Sequence, residues 1–259
     1  MKTQTKPDQS LEKATGPVEA VQASASEQIA VKPIRRWRAR VFQAYLVTAT
    51  VSFGILVALA STTNYFTLDL TVTRAVQNIH VPLFADLMWG ISFFGYYPQM
   101  FILIAAVVVL LFIIGLRWQS VVVLISAVGS GGVDQLIKVF VHRPRPGAGL
   151  VTVFQQLSSY SFPSGHVLTY TAFFGFLFFL VFTMLKPSWL RALLLEILGI
   201  LISLVGISRI YVGDHWASDV IGAYLLGSLW LVVSIYVYQW GKSRFFVRQP
   251  LAPEKPKGG

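Results

Sequence analysis

The chain has 259 residues, 55% of them hydrophobic and 12% charged, with a mean hydropathy of +0.64; a water-soluble domain of that length cannot hide so much apolar surface, so the chain reads as a membrane protein. A net charge of +10 would suggest nucleic acid for a soluble protein, but here most Lys and Arg flank apolar runs, where topology and anionic lipid account for them. The chain contains no cysteine, which excludes disulfides, thiolate metal ligands and catalytic thiols.

Residues 1–31 are rich in Lys, Gln, Ser, Ala, Glu and Thr and hold no aromatic side chain, so this stretch is expected to be an unstructured cytoplasmic tail. No apolar run follows its early lysines, so it does not read as a cleaved signal peptide and the first anchor is expected to be retained. Arg35, Arg36, Arg38 and Arg40 precede the first expected span, from about Val41 to Ala60, and hold its start on the cytoplasmic side. From Asn64 to about Gly95 Asp69, Arg74, His80 and Asp86 lie among apolar residues with Pro82 as a break, which predicts two short interfacial helices. His80, beside that break, reads as a solvated interfacial residue rather than a ligand.

The second expected span is Pro98 to Leu116 and the third is Gln119 to about Val141. Gly129, Gly131 and Gly132 in the third suit close helix packing; the strand, lysine and hydroxyl of a phosphate-cradling loop do not accompany them. The fourth runs from near His166 to Lys186-Pro187, the fifth from about Trp189 to Ile207, with Glu196 expected to contact another helix, and the sixth from about Trp216 to Trp240. The expected architecture is all-α, a polytopic bundle of six transmembrane helices in which residues 32–248 form one membrane-embedded domain and 249–259 a cytoplasmic C-terminal tail. With the N-terminus inside, Arg117, Lys186, Arg191 and the cluster Lys242, Arg244, Arg248 also fall inside. Both termini are then cytoplasmic.

This orientation brings the polar ends of four helices to the outer face. The third helix ends with Lys138 and runs into His142-Arg143-Pro144-Arg145-Pro146; the fourth opens with Pro163-Ser164-Gly165-His166; the fifth and sixth are joined by the stretch from Ser208 to Asp219. These cations oppose the positive-inside trend, and ionisable groups at membrane depth usually mark function. Lys138, Arg145 and Arg209 can neutralise a phosphate, and the amides of Ser164 and Gly165 at a helix start add donors and a favourable dipole. If the chain is helical from Trp216, His215 and Asp219 stand one turn apart on one face, so the carboxylate can hold one ring nitrogen and leave the other free to attack phosphorus. His166, from another helix, can protonate the departing oxygen and later activate water. Plainer roles stand beside these: Lys138 can pair with Asp134 one turn earlier, Arg143 can hold a lipid headgroup or support its loop, and Asp214 can serve as a cap or loop contact.

The three stretches resemble the motifs of the type 2 phosphatidic acid phosphatase superfamily: Lys138, six residues, then Arg145-Pro146; Pro163-Ser164-Gly165-His166; and Ser208-Arg209, five residues, His215, three residues, Asp219. The resemblance covers about Val41 to Trp240. It implies a multi-pass plasma-membrane phosphatase, independent of metals and cofactors, acting at the extracytoplasmic face on a lipid phosphate or diphosphate. The substrate class would include phosphatidic acid, phosphatidylglycerophosphate and undecaprenyl diphosphate. Lys138, Arg145, Ser164, Gly165 and Arg209 would bind phosphate, His166 would be the acid, His215 the nucleophile and Asp219 its partner. It also selects Arg145 over Arg143 by distance from Lys138. The expected partners are the substrate and membrane lipids, with no nucleic acid. The same site would serve a lipid phosphotransferase, and the superfamily's haloperoxidases do redox chemistry in such a pocket, though they resemble soluble proteins. An anion or lipid transporter is the reading from another class; against it stands the want of internal repeats or broken helices in matched halves.

Overall fold

The structure is a computed structural model that describes residues 17–246, with side chains over 36–245. Its elements are α1 (Pro17–Thr62), α2 (Thr67–Gln77), α3 (Pro82–Phe93), α4 (Gln99–Ile113), α5 (Arg117–Val141), α6 (Gly165–Met184), α7 (Trp189–Tyr211) and α8 (Ala217–Gly241), followed by a π-helical turn, Lys242–Phe246. The chain divides into two units between Thr48 and Ala49, and every candidate site residue belongs to the second. Residues 17–31 are helical backbone where an unstructured tail was the expectation; Ala, Gln and Glu are good helix formers whose local hydrogen bonds need no core. Residues 1–16 and 247–259 lie outside the described residues.

Among the described residues, five helices are long and apolar enough to cross a membrane, and α4 is a shorter apolar one. At about 1.5 Å per residue, the 15 residues of α4 reach ~22 Å, short of a ~30 Å hydrocarbon core. The link to α5 is a tight reversal of Ile114, Gly115 and Leu116 in which Gly115 takes φ +86°, a left-handed conformation that glycine adopts without steric cost. Where α7 starts, Ser188 accepts a hydrogen bond from the Arg191 amide at 3.2 Å, satisfying one of the orphan donors of a helix start.

Helix α6 is the hub, packed against α5, α7 and α8, with Val167, Leu168, Tyr170, Phe173 and Phe176 fully enclosed. Glycines let α8 approach it: a Cβ on Gly227 would lie 2.8 Å from Thr171, and one on Gly175 2.8 Å from Leu231. Of the three glycines of α5, Gly129 lies beneath the Trp230 ring, whereas Gly131 and Gly132 face open space. Glu196 is exposed on α7 rather than turned toward another helix. The helices α2 and α3 are short, as their broken pattern predicts, and α3 packs along α7.

Candidate active site

The last two turns of α5 carry Asp134 and Lys138, which pair at 2.7 Å with both side chains 6% exposed. The start of α6 lies against this pair, since a Cβ on Gly165 would fall 3.0 Å from Asp134 Oδ2 and 3.3 Å from Lys138 Nζ. Only glycine fits there without pushing on the ion pair. The Lys138 ammonium therefore stands beside the positive end of a helix dipole, a combination that favours an anion. Ser164, the N-cap of α6, holds its amide 3.3 Å from the Asp219 carbonyl, and its hydroxyl makes no hydrogen bond within the protein.

Arg145 spans the loop between α5 and α6 and the turn between α7 and α8. Its Nε and Nη2 donate to the carbonyl and hydroxyl of Ser159 at 2.7 and 2.8 Å, and its Nη1 donates to the Asp214 carbonyl at 2.7 Å. The same Nη1 lies 3.2 Å from Nε2 of His215. Arg209, fully buried at the end of α7, donates through Nη1 to Ser92 Oγ at 3.1 Å and Tyr96 Oη at 2.9 Å, and through Nη2 to the Asp214 carboxylate. His166, the second residue of α6, meets the Tyr96 ring edge-on at 5.0 Å, and Gly95 packs directly onto its imidazole.

His215 lies one residue before the N-cap Trp216, so it meets Asp219 across the start of α8 and not along one face of the helix. The helix starts later because the Asp219 carboxylate bonds the Trp216 amide at 2.9 Å, the side-chain cap of a helix start. Asp219 Oδ2 also accepts from Ser161 Oγ at 2.5 Å and stands 3.8 Å from His215 Nδ1, close enough for charge but too far for a hydrogen bond. Burial, and then the Arg145, Arg209 and Lys138 cations, hold His215 well below its ordinary imidazole value. The neutral ring keeps its lone pair at neutral pH. Burial raises the Asp214 carboxyl above its usual range, against the opposing pull of Arg209 and Arg145.

The structure thus brings Lys138, Arg145, Ser164, Gly165, His166, Arg209, His215 and Asp219 to one end of the bundle. Nine buried side-chain polar atoms among the described residues lack a protein hydrogen-bond partner, and six belong to this cluster: Asp134 Oδ1, Ser164 Oγ, His166 Nε2, Arg209 Nε, Asp214 Oδ1 and His215 Nδ1. Each such group costs about 1–3 kcal/mol, so their concentration in one place marks a site built for a polar ligand. Sequence reasoning misses Ser92, Gly95 and Tyr96, which α3 and its following turn deliver more than a hundred residues from Arg209, and the carboxylate of Asp214 on that arginine. Tyr96 carries no local signal. Asp214 does, as a buried charge within two residues of a positive-φ glycine, Gly213 at +74°.

A family model of the PAP2 superfamily matches residues 118–243, from the start of α5 to the end of α8. The chain is 30% identical over 185 residues to the phosphatidylglycerophosphatase B of Bacillus subtilis (strain 168), covering 71% of this chain and 89% of that protein. A shorter match, 39% identical over 85 residues, covers 32% of the chain and 36% of an undecaprenyl-diphosphatase of Sulfolobus acidocaldarius. Among solved structures, the transmembrane PAP2 type phosphatidylglycerolphosphate phosphatase from Bacillus subtilis superposes with a TM-score of 0.67 at 27% identity, over 77% of this chain and 98% of that one. Aquifex aeolicus LpxE shares the fold, with a TM-score of 0.54 at 24% identity over 66% and 96% of the two chains.

Proposed function

The chain belongs to the PAP2 superfamily and is a membrane lipid phosphatase, and from that premise we propose that it hydrolyses a lipid phosphate or diphosphate through a phosphohistidine on His215. The observation that carries this reading is the convergence of three cations, two imidazoles and a helix N-terminus at one end of the bundle. Lys138, Arg145 and Arg209 take the phosphate oxygens and the charge that spreads over them in the transition state, together with the amides that open α6. Arg145 already touches Nε2 of His215, so a phosphate oxygen on its fork is carried to the nucleophile. The Nε2–P bond forms as the P–O bond to the lipid breaks, and His166 gives its proton to the departing oxygen. His166 then takes a proton from water, the water oxygen bonds to phosphorus and the P–N bond breaks. Arginine and lysine neutralise the charge, so the reaction needs no metal.

Phosphatidylglycerophosphate is the first substrate we propose, because the relative matched over most of its length bears that name; undecaprenyl diphosphate is the second. We put the site on the extracytoplasmic side, and the basic residues at the other ends of its helices, Arg117, Lys186, Arg191, Lys242 and Arg244, support that orientation.

The test is phosphate release by the detergent-purified protein in chelator, against phosphatidic acid, phosphatidylglycerophosphate, undecaprenyl diphosphate and a water-soluble phosphate. His215→Ala should abolish release from a folded bundle, and Asp219→Asn should reduce it less. Full activity in His215→Ala would remove the mechanism; release only when an acceptor lipid is added would make the protein a phosphotransferase.

A further inference from the structure

Arg143 has no place in the phosphate-binding set, yet it is 1% exposed and uses its whole fork. Its Nε donates to the Asn64 carbonyl at 3.1 Å, Nη1 to Ser218 Oγ at 2.7 Å and to Asp219 Oδ1 at 2.5 Å, and Nη2 to Asp69 Oδ2 at 2.9 Å. The guanidinium also lies over the Phe66 ring at 5.0 Å. Its carbonyl accepts the Ser161 amide at 2.8 Å, and Ser161 Oγ in turn bonds the other oxygen of Asp219 at 2.5 Å. One residue therefore governs both oxygens of Asp219, the first through its side chain and the second through its backbone.

Asp69 anchors this clamp. It is the third residue of α2, accepts the Phe66 amide at 3.0 Å, and reaches across to α8, where Ser218 donates its amide to Oδ1 and its hydroxyl to Oδ2, both at 2.8 Å. Two carboxylates, each capping a helix start, thus share one guanidinium, and all three side chains are at most 2% exposed. A lysine could not replace it, because a point charge on a flexible stem cannot serve the α1–α2 link, α2 and α8 at once.

We propose that Arg143 is a positioning residue for the reaction: fixed by Asp69, it holds the rotamer of Asp219 and takes up part of its charge, so that Asp219 steers His215 without trapping it as an imidazolium. This rests on His215 as the nucleophile. Around His215 stand Lys138 and Asp134 of α5, Arg145 of the following loop, His166 of α6, Arg209 of α7, Asp214 of the turn and Asp219 of α8. Among these, Asp219 is the group whose charge Arg143 sets.

Two variants move that charge in opposite directions. Asp69→Asn leaves the guanidinium wholly to Asp219, so His215 becomes less basic; Arg143→Lys loosens the clamp, so Asp219 acts on His215 unshared and the imidazole becomes more basic. The chain has four histidines, and the His215 resonance is the one lost from the ¹⁵N-histidine spectrum of His215→Ala. Its titration midpoint is expected to fall in Asp69→Asn and rise in Arg143→Lys. In turnover, Arg143→Lys should lower kcat about 10- to 100-fold, the scale of a 1 Å misplacement of a reacting group, with KM within about twofold. In an Asp219→Asn background the same change should cost less than about threefold, because its route to His215 is gone. Midpoints unmoved in both variants, or losses that multiply in the double variant, would overturn the inference. If Arg143→Lys does not fold, Asp69→Asn and its cycle with Asp219→Asn decide. A wild-type protein that releases no phosphate would overturn the phosphatase reading instead, and the titration would still test the clamp without substrate.

Discussion

Arg209 is held by the chain's own carboxylate: Asp214 occupies one arm of its fork, while Ser92 and Tyr96 hold the other. A phosphate arriving at Arg209 meets a second anion there, and like charges at such range in a buried site repel strongly. Asp214→Asn removes the repulsion and keeps the turn's backbone contact to Arg145, which goes to the carbonyl. The expected outcome is an inhibition constant for vanadate about tenfold lower, equivalent to ~1.4 kcal/mol, and a lower KM for substrate. The sign of the pH effect follows from the raised carboxyl of Asp214: as pH falls, it takes a proton earlier than an ordinary aspartate and releases Arg209. Vanadate binding in the wild type should therefore gain on that of Asp214→Asn toward acid pH. Weaker binding in the variant would mean that Asp214 instead holds Arg209 in place for the anion.

At the scale of the helices, the approach of α8 to the motif preceding α6 is set by one missing side chain. A Cβ on Gly222 would come within 2.6 Å of the Phe162 ring, and Phe162 is fully buried next to Pro163 and Ser164, packed among Phe53, Ala60 and Val141. Gly222→Ala should thus push the segment that opens α6. We expect a loss of about 1–3 kcal/mol, typical of overpacking, and a loss of phosphate release beyond what the folded fraction explains. Gly131→Ala is the control, since nothing lies within 4 Å of its Cβ; there the better helix propensity of alanine should leave the melting temperature unchanged or higher. A Gly222→Ala protein as stable and active as wild type would show that Phe162 yields freely. The helices themselves are legible in the sequence because an apolar run of membrane length has few other fates. The site cations and histidines are legible for the complementary reason, as costly charges at helix ends. The role of Asp69 is not legible: its partners Arg143 and Ser218 lie 74 and 149 residues away, and no local pattern encodes which helix starts will share a guanidinium. His215 shows the same limit on a finer scale, since a helix start displaced by one residue turns an intrahelical pair into a contact across a cap.

For the whole molecule, the decisive arrangement is the separation of two kinds of positive charge along the bundle. One end holds Lys138 and Arg209, buried, and Arg145, half-buried, all three partnered; the other gathers the start of α5, the end of α6 and the end of α8, where Trp118 Nε1 donates to the Tyr238 carbonyl at 3.0 Å and Gln119 lies 3.8 Å from Met184 Sδ. Arg117, Lys186 and Lys242 belong to this second end by position, and basic residues flanking spans are retained in the cytoplasm. The orientation has a direct test, because a chain without cysteine reports any introduced thiol without background. Gly149 lies exposed in the loop at the site end, with nothing within 4 Å of its Cβ, and Ser243 lies exposed beyond α8 at the opposite end. In intact cells a membrane-impermeant maleimide should label Gly149→Cys, and should label Ser243→Cys only after the membrane is opened. Both variants should keep wild-type phosphate release, since neither position touches the cluster. The reverse labelling pattern would turn the bundle over and put the reaction on the cytoplasmic leaflet, where the same residues would meet only the lipid phosphates of that leaflet.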